Sequence, residues 1–587
     1  MKQFLKFTLA TIVGIFIASL LCTLIFFGII GAIAGGSDAA TVLKTNSVYE
    51  INLEGTLIDR SKDDPFSGVF AEAMGNNAEK MIGLDDILSN IEKAKNDDNI
   101  VGIYLKGGSL SGGIASIKEI RNALIDFKKS GKFIVSYADN YSQRMYYLVS
   151  VADRILLNPQ GMLELKGLSA QIMFLKNTLD KLGIDMQIVK VGTFKSAVEP
   201  FINTKMSDAN KLQVSVFMNS IWNTILKEVS VSRKIPVDSL NKFADEMMMF
   251  QPTEKTKQYA LVDSLVYIDQ VDSILKSCVK NIGKDEKLAF VKHTAMTKVA
   301  DNSKFDKNKV AVIYAIGDIT DVEGEGIVAR DLVETINKVA NDSAVKSVVL
   351  RVSSPGGSAY ASEQIWHALA MLKAKKPLIV SMGDYAASGG YYISCMADKI
   401  VAQPNTITGS IGIFGVIPNI KGLNEKLGLT YDGIKTNKMS DAISVNRAFT
   451  PDERNLMQNY VNRGYELFVK RCADGRKMTT DQIKNIAEGR VWTGEDAIKI
   501  GLVDKIGGLN DAIKLAVEKA KLKTYNVNEY PVKEDFATKF MKSFSEGIET
   551  RFVKAQLGEQ YKMFKQIQNI NKVNGIQTRM SYDLIIQ

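Results

Sequence analysis

The sequence predicts an α/β fold written twice in tandem behind an N-terminal transmembrane helix. Three observations lead there. An uncharged apolar stretch opens the chain, one segment recurs 245 residues later, and within each copy β-branched runs alternate with amphipathic helices. The chain has 587 residues, 46% hydrophobic and 24% charged, with 44 Gly and 11 Pro. That is globular usage, which excludes a disordered or collagen-like chain.

The first element is the apolar stretch. From Phe7 to Ser37 there are 31 positions without a charge. A helix needs about 20 residues to cross a bilayer, so this stretch can span with tilt. Lys2 and Lys6 precede it and Asp38 is the first charge after it. The positive-inside rule then leaves the N-terminus in the cytoplasm and the rest of the chain outside the cytoplasmic (inner) membrane. A cleaved signal peptide is the competing reading, with Ala32-Ile33-Ala34 as a small-x-small site. The apolar run is far longer than the roughly 7–15 residues of a signal-peptide core, which favours an uncleaved anchor.

The repeat comes next. Residues 134–159 align without gaps on 379–404, and ten of the 26 positions are identical, among them Asp139, Tyr146, Tyr147 and Asp153. Upstream, YLKGGSLSGG (104–113) faces VLRVSSPGGS (349–358) at the same offset; downstream, ALVD (260–263) faces GLVD (501–504) at offset 241. In each copy an apolar run (48–58, 310–319) precedes a second run (IVGIYLKG, SVVLRVSS), an amphipathic helix and a short buried strand (FIVSYAD, LIVSMGD). Strand–helix–strand alternation predicts parallel sheets. The predicted organisation is anchor 1–37, first copy 38–293, polar linker 294–308, second copy 309–525 and a helical C-terminal extension 526–587.

Composition narrows the chemistry. The net charge of +9 is mild over this length and gives no argument for nucleic acid. The histidines are His293 and His367; the cysteines are Cys22, Cys278, Cys395 and Cys472. No CxxC or HExxH spacing occurs, which argues against a zinc ribbon or zincin site, and three widely spaced cysteines beyond the anchor do not make a disulfide framework.

The copies diverge sharply inside their best-matched segment. AASGG (386–390) faces YSQRM (141–145), so Ser388 stands opposite Gln143. A serine before two glycines, after a strand and at a helix start, sits beside unpaired N–H groups that can receive an oxyanion. A glycine-rich turn with a capping serine reads the same letters blandly. SSPGGS (353–358) supplies a second glycine pair after a strand, and Gly357 and Gly389 could each offer one N–H; an ordinary Pro-Gly turn is the alternative. A nucleophilic serine needs a base. His367 lies on a helix beside Trp366 and Leu369, and His293 at the linker, so both read as structural. Lysine is the alternative base, provided it is desolvated and neutral.

At this point the chain resembles a family. VGTFKSAVEPF (191–201), RVSSPGGS (351–358), SMGDYAASGGYYIS (381–394), TITGSIGIFG (406–415) and RVWTGEDAIKIGLVDKIGG (490–508) are similar to motifs of the long, duplicated signal peptide peptidase A (protease IV) family. The resemblance implies tandem Clp-protease/crotonase-like repeats and a serine endopeptidase with a Ser–Lys dyad. It implies Ser388 as nucleophile, Lys195 as general base, Ser410 as the hydroxyl holding the lysine, and Gly357 and Gly389 as oxyanion donors. At the Lys195 offset the second copy has Ser440, so each copy keeps one dyad member. Glu199, four residues on, reads as a structural salt bridge, and Asp384 and Tyr385 as a variable turn. The resemblance further implies a homotetramer on the bilayer, signal peptides and other membrane-derived peptides as substrates, and no cofactor or metal. The same site could serve broader quality-control proteolysis of membrane proteins. A crotonase-type acyl-CoA enzyme and a non-catalytic membrane scaffold are the readings from other classes.

Overall fold

The computed structural model describes residues 2–35, 40–61, 80–279, 287–300, 306–533 and 575–580. Helix Lys2–Gly35 is apolar in sequence on every side, and Phe4, Phe7, Phe16 and Leu20 are all exposed. Among the described residues no helix is long and apolar enough to cross a membrane. The transmembrane helix read from the sequence is not found among the described residues.

The first copy builds a seven-stranded parallel sheet. Its order is Met81–Gly83, Ser47–Ile58, Ile100–Ser111, Phe133–Tyr141, Arg154–Leu163 and Ser264–Leu265, with Ala289–Lys292 also pairing Ser47–Ile58. The second copy repeats the pattern. Asn526–Tyr530, Lys309–Ile316, Val345–Ser354 and Leu378–Ala387 run parallel and side by side. Strand Val345–Ser354 is buried almost throughout, as parallel strands covered on both faces must be. One face of each sheet is covered by helices such as Leu84–Asn96 and Ala329–Asn341, the latter burying Leu332, Ile336 and Val339. The other face is closed by Ile268–Cys278 in the first copy and Leu509–Lys519 in the second.

Two helices of 26 residues, Asp208–Arg233 and Pro451–Arg476, also correspond. Each starts at a hydroxyl cap, Ser207 and Thr450, and each ends at a left-handed lysine, Lys234 and Lys477.

Three expectations change. The linker read at 294–308 begins inside the first copy's fold: His293–Thr297 is a helix, Met296 is fully buried, and His293 Nδ1 lies 2.7 Å from the Tyr49 hydroxyl. Residues 301–305 of that linker lie outside the described residues. The C-terminal extension read as helical contributes strands where it is described, Asn526–Tyr530 and Gly575–Arg579. Asn526–Tyr530 stands where Ala289–Lys292 stands in the first copy, beside the strand that opens the sheet. The helical stretch expected over 536–557 lies outside the described residues. Asp384 and Tyr385 are not in a turn but inside strand Leu378–Ala387.

A third sheet joins the copies. Its order is Ile327–Val328, Ile319–Thr320, Gly356–Ser358, Gly575–Arg579, Phe414–Asn419 and Asp185–Lys190. Asp185–Lys190 of the first copy lies antiparallel to Phe414–Asn419 of the second over six residue pairs. That pairing carries the segment after Lys190 into the second copy. A buried charge cluster ties the copies together elsewhere. Arg351, fully buried, makes ion pairs with Asp59 at 2.7 Å and Glu119 at 2.7 Å. Asp384 accepts hydrogen bonds from Ser116 N and Oγ, at 3.0 and 2.6 Å.

Candidate active site

Strand Leu378–Ala387 ends at Ser388, and helix Gly389–Ser394 begins directly after it. Ser388 has φ +55° and ψ −112°, a conformation that costs a non-glycine residue about 1–3 kcal/mol and must be held from outside. The hold is visible: Ser388 N donates to Gly409 O at 2.8 Å, and Ser388 O accepts from Tyr392 N at 2.8 Å.

Lys195 arrives from the other copy. It stands at the edge of a short 3-10 turn, Ser196–Val198. Phe194 N donates to Glu488 O at 2.9 Å, and Gln213 Nε2 donates to Phe194 O and Ser196 Oγ, at 3.1 and 2.8 Å. Gly489 lets the chains approach: it has φ +76°, and a Cβ there would lie 2.6 Å from Lys195 Cβ.

The lysine side chain reaches Ser388. Lys195 Nζ lies 2.8 Å from Ser388 Oγ, 3.1 Å from Ser410 Oγ and 3.1 Å from Ser410 O. Ser410 is fixed by its own backbone, whose N–H donates to Arg490 O at 2.7 Å. Lys195, Ser388 and Ser410 all have no exposed surface. Burial alone pushes the Lys195 amine well below its ordinary pKa, because among the described residues no carboxylate faces it to restore the charge. A neutral amine has two N–H groups and one lone pair. Ser410 O can only accept, so it takes an N–H, and the lone pair is left to accept the Ser388 hydroxyl proton.

The glycine loops meet here too. Gly356–Ser358 is a short strand of the joining sheet, and a Cβ on Gly389 would lie 3.1 Å from Gly356 Cα. Gly357 sits in the same strand, so close to Ile319 that a Cβ would meet its carbonyl oxygen at 2.0 Å.

The residues singled out in the sequence thus converge, with one correction. Glu199 makes no ion pair among the described residues. Its carboxylate accepts from Ser207 N, Ser207 Oγ and Asn210 Nδ2, and so secures the start of helix Asp208–Arg233. Of the histidines, His293 packs in the first copy and His367 is exposed on helix Ala359–Lys373. Ser440, the counterpart of Lys195, is exposed in a turn of the second copy.

In the first copy, Gln143 replaces the serine. Its side chain bonds Gly167 O, Lys166 N and Gly167 N, closing the turn beside a cavity of about 280 Å³. Gln213, Gly489 and the Phe414–Asn419 pairing escaped the sequence reading. Each acts through contacts between distant segments, by a side-chain amide at Gln213 and by backbone at the other two, and only Gly489 carries a signal, as an isolated glycine next to a motif.

Comparison with known proteins agrees with this architecture. The model of peptidase family S49 matches residues 126–281 and 370–523, one match in each copy. Protease 4 of Salmonella typhi is 37% identical over 529 residues, covering 86% of this chain and 83% of that protein. Protease 4 of Haemophilus influenzae is 34% identical over 536 residues, covering 88% and 86%. The chloroplastic serine protease SPPA of Arabidopsis thaliana is 33% identical over 490 residues, covering 82% and 70%. The chain belongs to peptidase family S49, with the family's domain present twice. It is a serine protease.

Proposed function

We propose that the chain is a membrane-anchored serine endopeptidase that uses Ser388 as nucleophile and Lys195 as general base to degrade cleaved signal peptides in the cytoplasmic membrane. One observation carries the dyad: a buried lysine amine, without a carboxylate partner among the described residues, 2.8 Å from a serine hydroxyl held in a strained turn. Desolvation supplies what a lysine base requires, a free lone pair near neutral pH.

The steps balance. The Ser388 Oγ–H proton passes to neutral Lys195 Nζ as Oγ bonds the peptide carbonyl carbon. The carbonyl oxygen becomes an oxyanion, received by the N–H groups of Gly357 and Gly389, each donor worth about 3 kcal/mol in the transition state. Lys195 then gives its proton to the leaving nitrogen as the C–N bond breaks, leaving an ester on Ser388. Water attacks the ester carbon and passes a proton to Lys195. The bond between the acyl carbon and Ser388 Oγ breaks, releasing the acid, and Lys195 returns the proton to Oγ. Ser410 holds Nζ in place throughout, through its carbonyl and hydroxyl oxygens.

The anchor rests on the uncharged stretch from Phe7 to Ser37 and on the apolar helix Lys2–Gly35, which holds most of it. Lys2 and Lys6 favour a cytoplasmic N-terminus, which puts the peptidase part on the periplasmic side. Signal peptides as substrates, the Clp-protease/crotonase-like repeat and a homotetramer rest on the family resemblance. Quality-control proteolysis of other membrane proteins would use the same site.

The test is cleavage of a synthetic signal peptide by the detergent-solubilised full chain, beside Ser388→Ala and Lys195→Ala. Wild type should cut, and each variant should lose about 10³-fold or more in kcat while remaining folded. Equal cleavage by Lys195→Ala and wild type would reject the base assignment.

A further inference from the structure

The first copy keeps the place of the Ser388 cleft without its chemistry. Strand register shows the correspondence. Asn140 pairs with Met162 and Tyr141 with Leu163, as Tyr385 pairs with Ile407 and Ala386 with Thr408, each 245 residues further on. At that offset the segments around Gly356, Ser388 and Ser410 fall on Ser109–Ser111, Ser142–Arg144 and Glu164–Lys166. In the first copy these segments line the cavity of about 280 Å³.

The groups that would do chemistry there are engaged otherwise. Gln143 stands in place of the serine, and its side-chain amide is bonded to Gly167 and Lys166. Gln143 N donates to Glu164 Oε2 at 3.2 Å and Met145 N to Ser142 Oγ at 3.3 Å, so these N–H groups do not await an oxyanion. What remains is space and an edge. The buried part of the cavity wall is apolar, with Leu110, Ile117 and Ile225; the more exposed part carries the ion pair of Lys166 with Glu164 at 2.8 Å. An apolar cavity of about 150 Å³ already holds a benzene-sized group, so this one has room for an aliphatic or aromatic side chain.

The edge continues from Leu168, which lines the cavity. Ser169, Gln171 and Met173 are exposed while Ala170, Ile172 and Phe174 are half-buried, the alternation of a strand. At the same offset this stretch matches Phe414–Asn419, which is paired on both sides, with Asp185–Lys190 and with Gly575–Arg579. Residues 169–174 pair with no strand among the described residues. An extended peptide joins such an edge by backbone pairing and gains selectivity by setting alternate side chains into pockets. A lipid chain would fill the cavity but has no use for the edge.

We infer that the first copy is a second, non-catalytic peptide site, where an extended apolar peptide lies along 169–174 and sets one apolar side chain into the cavity. The choice of a peptide as ligand rests on the peptidase reading. A peptide long enough to reach both copies is then delivered to Ser388 by an intramolecular step, at a raised effective concentration.

The experiment titrates the full chain carrying Ser388→Ala, in detergent, with a synthetic Leu/Ala-rich peptide of signal-peptide type, and reads hydrogen exchange at the amides of 109–114 and 169–174. Both stretches should gain protection that saturates with peptide. Leu168→Trp and Ile114→Trp fill the cavity from different walls. Each should weaken the apparent affinity at these amides by about tenfold or more, the effect of excluding one apolar side chain. Unchanged exchange in strand Phe133–Tyr141 shows that a variant is folded. Peptide-dependent protection confined to 356–358 and 414–416 overturns the inference, as does wild-type affinity in a folded cavity variant. Protection of 169–174 that is present without peptide and deepens with chain concentration means that a second copy of the chain covers the edge, and overturns it too. Cleavage of the same peptide by the chain with Ser388 intact is scored separately: no cleavage rejects the peptidase reading, while saturable protection in the first copy still upholds the second site.

Discussion

Replacing Lys195 by Met should remove activity and at the same time abolish the pH dependence of stability that this position contributes. In the folded protein the amine is buried and its pKa is held well below the ordinary lysine value by desolvation. In the unfolded chain it titrates near 10.4. The unfolded state therefore binds one more proton across the window between those two values. The depressed folded pKa is a stability penalty that is absent above the unfolded pKa, grows as pH falls, and levels off below the folded pKa. Within the window, wild-type stability rises by about 1.4 kcal/mol per pH unit through this residue alone. Methionine deletes the titration. It also deletes the contacts to Ser388 Oγ, Ser410 Oγ and Ser410 O, and the buried groups left behind cost about 1–3 kcal/mol at every pH. For a lysine neutral at pH 7, the penalty there is about 1.4 kcal/mol for each pH unit below 10.4, and it outweighs that constant loss. By pH 9.5 it has shrunk to about 1 kcal/mol, and the order of stabilities reverses. Urea unfolding of the full-length pair in detergent at pH 7, 8, 9 and 9.5 reads the difference directly, provided m is unchanged. A wild-type minus variant difference that stays flat across this range would mean that Lys195 folds with its proton on. A lysine in that state cannot be the base.

Three further outcomes follow from the same contacts. Ser410→Ala leaves Lys195 Nζ its carbonyl acceptor but removes the hydroxyl at 3.1 Å, so kcat should fall about 10- to 100-fold with KM little changed, and Ser410→Thr should recover most of it. Arg351→Met strands Asp59 and Glu119 in the interior and should cost about 3–5 kcal/mol in urea unfolding, most of it recovered when both carboxylates are made apolar too. Burial pushes the Asp384 pKa up, so the protonated form contributes stability below the unfolded pKa and that contribution is lost as pH rises through the folded pKa. Asp384→Asn keeps an acceptor for Ser116 N and should match or exceed wild type in Tm at pH 7.5, with its advantage gone by pH 4.

The duplication was legible because it is written in identical residues at a constant offset, and strand–helix alternation follows from burial on both faces of a parallel sheet. The place proposed for the chemistry was marked by the contrast between the copies, at Ser388 against Gln143. The tail at 575–580 was not, because an added strand is decided by the edges that receive it rather than by its own six residues. The inter-copy bonds of Asp384 were hidden for a related reason: a polar pair such as Asp-Tyr reads as a turn until a distant Ser116 supplies the partners that let it lie in a buried strand.

Glu199 teaches the sharper lesson. A carboxylate four residues after a lysine reads as an ion pair because helical spacing would stack the two side chains. Lys195 is not in a helix; its backbone, at φ −75° and ψ 78°, sends the side chain toward Ser388 while Glu199 turns to Ser207 and Asn210. The chemistry requires that separation. A carboxylate paired with Lys195 would stabilise the ammonium, raise its pKa and remove the lone pair on which proton abstraction depends. A reading that makes Lys195 a base therefore has to place Glu199 elsewhere, and the hydrogen bonds at the start of helix Asp208–Arg233 are where its charge goes.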